Sequence, residues 1–215
     1  MLKKVFFEIF MKLLPYSILL IISGSILIAQ PTVWDGYAYV SSSSSASDST
    51  WYDMGGSAQA QDLLNANLGS FQDNFWLGGQ IKAWPGNNGG DDVANAGLSY
   101  NIYAGTDTTN STSLFNGLVS YSNQSFDGNN EQWGSDVNGN NSSEGAINIL
   151  DAHSIDAGNY RIVTYASATA TWGGTAYDSN SSNNYLSTFT VVPEPSAMSL
   201  FIGLLSIFYA ASRRR

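Results

Sequence analysis

His153 is the only histidine of this chain, and cysteine is absent. A Ser-His-Asp triad would have to use that one imidazole, and zinc or iron sites of the usual kinds would lack their ligands. Asp151, Ser154 and Asp156 stand beside His153, but no Gly-x-Ser-x-Gly elbow accompanies them, so the residue reads as a turn histidine. Glu131, Asp136 and Glu144 could provide paired carboxylates for glycoside hydrolysis. They lie within 127–145, however, a stretch so rich in Asn, Gly and Ser that it reads as a long loop. Catalytic acids need rigid, partly desolvated settings. A hard cation suits that loop better, because Asp136, Asn138, Asn140, Ser142 and Glu144 place an oxygen at every second position. The EF-hand pattern fails at its sixth position (Asn141) and its twelfth (Ile147), which leaves a solvated turn as the first reading and calcium as the alternative. Asp178, Asn180 and Asn183 form a weaker second cluster of the same kind.

Aromatic side chains are the other chemical resource. Trp133 and Trp172 adjoin polar, Gly-rich segments, so they are the tryptophans expected to be exposed and able to stack on sugar rings. Trp76 and Trp84 are expected to fill the core.

These residues must be positioned by strands. From Phe75 onward apolar residues recur in short runs between turn signals: 75–77 and 80–84 flanking Gly78-Gly79, the alternating Leu98, Tyr100 and Ile102, then 114–121, 146–150, 159–170 and 185–192. Six or more strands with almost no helix indicate an all-β antiparallel sandwich, Ig-like or jelly-roll. Asp156, Gly158 and Tyr160 at the start of a strand resemble the tyrosine corner of immunoglobulin-like sandwiches, and Ile162 stands where antibody domains carry cysteine. Residues 58–68 are compatible with a short helix or a loop, and the serine-rich stretch before them with a flexible segment or an edge strand.

Charge narrows the partners. Between Gln30 and Pro195 only Lys82 and Arg161 oppose sixteen acidic side chains, a formal charge of about −14. Such a surface repels phosphate backbones and excludes nucleic acid as a partner.

Both ends are different in kind. Lys3, Lys4 and Lys12 precede an apolar run to Ile28, with Ala29 and Gln30 as the expected cleavage point of a signal peptide. At the other end Val192, Pro193, Glu194, Pro195 and Ser196 lead into an uncharged run over 197–212 that ends in Arg213, Arg214 and Arg215. Sixteen residues make a helix of roughly 24 Å, short of a hydrocarbon core of about 30 Å. The arginines would stay on the cytoplasmic side as a membrane stop. This order of short motif, apolar span and basic cluster resembles the PEP-CTERM sorting signal of Gram-negative bacteria that make exopolysaccharide. The resemblance implies Sec export, transient anchoring by the C-terminal helix, processing at the motif by an exosortase-type membrane protease, and release to the cell surface or extracellular matrix.

The expected organisation is therefore a signal peptide (1–29), a serine-rich segment (30–57), a β-sandwich (58–192) and a sorting tail (193–215) with a transmembrane helix. The expected function is that of an exported, non-enzymatic surface or matrix protein without a cofactor. A carbohydrate-binding or adhesion module, with exopolysaccharide as partner, is the first alternative and a secreted glycan-active hydrolase the second.

Overall fold

A computed structural model describes residues 31–43, 48–55, 61–86, 93–106, 112–124, 131–135, 145–194 and 206. The expected signal peptide (1–29) and its cleavage point, the apolar run with its arginines, and the loop residues Asp136, Asn138, Asn140, Ser142 and Glu144 lie outside them, as do Pro195 and Ser196. Among the described residues no helix is long and apolar enough to cross a membrane.

The chain is all-β. Among the described residues twelve strands form one curled sheet: β1 (Thr32–Ser41), β2 (Thr50–Asp53), β3 (Gln61–Asp62), β4 (Asn67–Phe71), β5 (Trp76–Trp84), β6 (Val93–Ala104), β7 (Phe115–Asn123), β8 (Glu131–Gly134), β9 (Ile147–Asn148), β10 (Gly158–Ala170), β11 (Thr175–Asp178) and β12 (Tyr185–Val191). Their order is β3-β2-β1-β5-β8-β7-β6-β10-β12-β4, with β9 added to β5 and β11 to β10. Most pairs are antiparallel, but β2–β3 and β4–β12 are parallel. One core joins both ends of this order. Ala38, Ile81, Leu98, Ile102, Ile162 and Phe189 are all buried in it, each large side chain contributing about 1.5–3 kcal/mol.

Several elements differ from expectation, each for a local reason. Gly78 and Gly79 do not break β5; the strand runs through both, because they make room for phenols. Tyr39 lies across Gly78, its register partner on β1, and Tyr121 reaches over Gly79. Residues 146–150 are not one strand: Asn148 caps a short helix, α1 (Ile149–His153), by accepting from the Leu150 N–H at 3.3 Å. The described part of 58–68 is not helical, since Gln61–Asp62 and Asn67–Phe71 are strands. β1 belongs to the sheet interior rather than its edge, paired with β2 on one side and β5 on the other.

The tyrosine corner has its defining bond: the Tyr160 hydroxyl donates to the Asp156 carbonyl at 2.8 Å. Tyr160 also stacks on Phe189 (5.4 Å, 22°), which meets Phe75, itself stacked on Phe71 at 4.1 Å. This aromatic column welds β4, β10 and β12 at the end of the domain. Ile162 is buried.

Gly78→Ala tests the phenol-over-glycine packing. The new methyl would overlap the Tyr39 ring and come within 2.5 Å of the Ser135 hydroxyl, so urea denaturation should show a loss of about 1–3 kcal/mol. Unchanged stability would mean that the Tyr39 ring is not fixed there.

Candidate functional site

An open cleft of about 930 Å³ lies where the two arms of the curled sheet approach each other. β10 and β11 form a hairpin on one side. Ser167 pairs with Tyr177, and Ala166 with Asp178, so successive β11 side chains face opposite ways. Tyr177 points to solvent beside Tyr165, ring centroids 6.1 Å apart and tilted by 56°. It is 60% exposed. Asp178 turns the other way, against Gly36 of β1, where any side chain would collide with its carboxylate. Met54, Asp62 and Leu64 close the opposite wall, and the turn 179–184 forms the rim.

That rim is conformationally committed. Asn180, Ser181, Ser182 and Asn184 all have positive φ, between 46° and 73°. Backbone bonds hold them: Asn183 N–H to Asn180 O at 3.1 Å and Asn184 N–H to Ser179 O at 2.8 Å. The Asn183 side-chain amide also donates to Asn180 O at 3.3 Å. Left-handed serines are uncommon and persist where the surroundings over-determine them.

Asp178 is the electrostatic focus. Burial raises its carboxyl above its ordinary value of 3.8, Asp53 and Asp35 nearby add to the rise, and the hydrogen bond from the Tyr185 hydroxyl, 2.6 Å to Oδ1, opposes it. Burial and the same bond push the Tyr185 phenol up. Tyr121, fully enclosed, is raised well above the usual phenol range by burial first, with Tyr39 and Asp178 adding to it.

The sequence-predicted residues are not brought together here. The ring of His153 stacks on Phe115 (5.0 Å, 26°) and its Nε2 lies 2.7 Å from the Tyr100 hydroxyl, while burial lowers its pKa from 6.5. Asp151 accepts instead from Asn148 at 2.7 Å, so the described bonds of these residues build no triad. The Glu131 carboxylate accepts from Val93 N–H (2.7 Å), Asn123 (2.9 Å) and the Trp133 indole (2.8 Å), which makes it a structural acceptor.

Trp133 corrects the stacking expectation: only 9% exposed, it packs in the core with its N–H on Glu131. Trp172 is half-buried, and its indole donates to Pro85 O at 3.1 Å. Trp76 and Trp84 are half-buried too, Trp76 packing with Tyr39 and Ala146 outside the main core. The exposed tryptophans are Trp34 (50%) and Trp51 (37%). A register shift between Val33 and Asp35 inserts Trp34 as an extra residue, under Lys82 at 5.3 Å.

Among the described residues no group of His, Cys, Asp or Glu could hold a metal ion. Asp178, Asn180 and Asn183 are drawn instead into the Tyr185 bond and the turn's own hydrogen bonds. The tyrosine pair was not anticipated; its only sequence signal is a turn of Ser and Asn framed by Tyr177-Asp178 and Tyr185.

No known protein family matches the chain, and no curated protein matches it.

Because the folded state raises the Asp178 pKa, it binds more protons than the unfolded chain between 3.8 and the raised value. Stability therefore falls as pH rises through that window, and at neutral pH the buried charge is a net cost. Asp178→Asn keeps an acceptor for Tyr185 and removes the charge. Thermal melts should show a gain of about 2–4 °C at pH 7 that shrinks as the pH is lowered towards 3.8. A lower melting temperature at pH 7 would mean that the charged bond outweighs desolvation.

Proposed function

We infer that this is an exported, non-enzymatic protein of the cell surface or extracellular matrix, sorted by its PEP-CTERM-like tail. The observation that carries the reading is the order of Val192, Pro193, Glu194, Pro195 and Ser196, an uncharged run and three arginines. The geometry at the end of the fold supports it. β12 ends at Val191, the Val192 N–H is held by Phe71 O at 2.8 Å, and Pro193 and Glu194 are exposed. Two prolines around one glutamate discourage helix and present extended backbone, the form a protease takes. The motif thus begins one residue after the sheet stops, and cleavage there would leave every described strand intact.

The commitments of His153 and Glu131 favour a non-enzymatic role, since neither keeps the open setting an acid or base requires. We read the curled sheet as an antiparallel sandwich, Ig-like or jelly-roll, and the Tyr160 corner bond favours the Ig-like form.

In a host that makes an exosortase-type protease, intact-mass analysis of the secreted protein should show loss of residues 197–215. Secreted protein that keeps the whole tail would overturn the sorting assignment.

A further inference from the structure

We propose that the cleft beside β11 binds a neutral oligosaccharide, with Tyr177 as the stacking platform and Asp62 and the 179–184 turn as the hydroxyl-binding rim. Three observations select this ligand class. First, Tyr177 is 60% exposed next to Tyr165, at the mouth of a cleft whose other lining is mostly polar. A ligand with apolar C–H faces and hydroxyl edges matches both surfaces at once. A purely apolar ligand would desolvate the rim carboxylate and amides without replacing their water bonds.

Second, charge excludes anionic ligands. Among the described residues no cation lines the cleft. The only two basic side chains between Gln30 and Pro195 are engaged elsewhere: Lys82 bridges Asp35 at 2.8 Å, and Arg161 is buried with its guanidinium 4.4 Å from the Tyr103 ring centroid. Phosphates, sulfates and uronates would meet Asp62 and Asp178 with nothing to neutralise them. Sugar hydroxyls can donate to the exposed Asp62 carboxylate and both donate to and accept from the rim amides.

Third, the rim is set before any ligand arrives. Its four left-handed residues are fixed by the bonds of the 179–184 turn, so little conformational entropy is lost on binding. The volume of about 930 Å³ falls in the range of small-ligand sites and accommodates a short oligosaccharide. The site is independent of the sorting tail and would persist with the tail retained or removed.

Affinity electrophoresis of the full chain in detergent, through native gels containing hydroxyethylcellulose, mannan or, as the acidic control, polygalacturonate, provides the test. Retardation is expected in at least one neutral gel and not in polygalacturonate. Tyr177→Ala should weaken it roughly tenfold without changing the melting temperature, because the ring is mostly in solvent, while Trp34→Ala should bind as the parent does. Absence of retardation in both neutral gels, retardation by polygalacturonate alone, or unchanged binding by Tyr177→Ala would overturn the proposal.

Discussion

Large phenol rings lying across glycines are the packing on which this fold depends. Tyr39 covers Gly78, Tyr100 covers its register partner Gly117, and Tyr121 reaches over Gly79. A single Cβ would collide with the ring at Gly78 and Gly117, and with the Tyr121 hydroxyl and the Tyr37 carbonyl at Gly79. Without cysteine the domain has no covalent closure, and charge gives little help where sixteen acids face two bases. Burial of apolar surface is left to do the work, and a tyrosine buries more of it than an aliphatic residue can. The glycines lose backbone entropy in strands, which the rings offset by filling the pleat they leave.

The same use of glycine shapes the cleft. Gly36 lets β11 approach β1 closely enough for Asp178 to lie against the β1 backbone, and the arms of the sheet meet there. A carboxylate at such a seam loses water, and Asp35 and Asp53 nearby raise its pKa further. The Tyr185 hydroxyl gives back part of what is lost. The other face of β11 carries Tyr177 into solvent, so one short strand serves both closure and display. That division follows from the two-residue period of a strand and needs no extra element.

How far this was legible in the sequence depended on whether the signal was local. The alternation of Leu98, Tyr100 and Ile102 reports a half-buried strand because the pattern and the burial share one period. The corner at Tyr160 was readable because its bond closes within four residues. Gly78-Gly79 misled because a glycine pair is a turn signal, and only the partner strand reveals that Tyr39 needs the space. Residues 146–150 read as a strand because Ile and Leu suit either state, while the Asn148 cap that decides for helix also depends on Asn74 and Phe75, more than seventy residues away. Tryptophan exposure failed for a related reason. Polar neighbours in sequence say nothing about which face of a sheet a ring is on, so Trp133 turned inward and a bulge turned Trp34 out. The Tyr165–Tyr177 pair depends on the β10–β11 register, which a single strand does not encode.

One consequence joins the cleft to the C-terminus. Tyr185 opens β12 and lines the cleft, whereas Val191 closes the same strand directly before Val192 and Pro193. Seven strand residues separate these points by about 20 Å. The aromatic column of Phe71, Phe75, Tyr160 and Phe189 sits towards the Val191 end, so stacked rings brace the part of the sheet nearest the motif. The cleft and the start of the Val192 motif therefore lie at opposite ends of β12. None of the residues that line the cleft comes after Tyr185, so the cleft is built wholly from chain that precedes the Val192 motif.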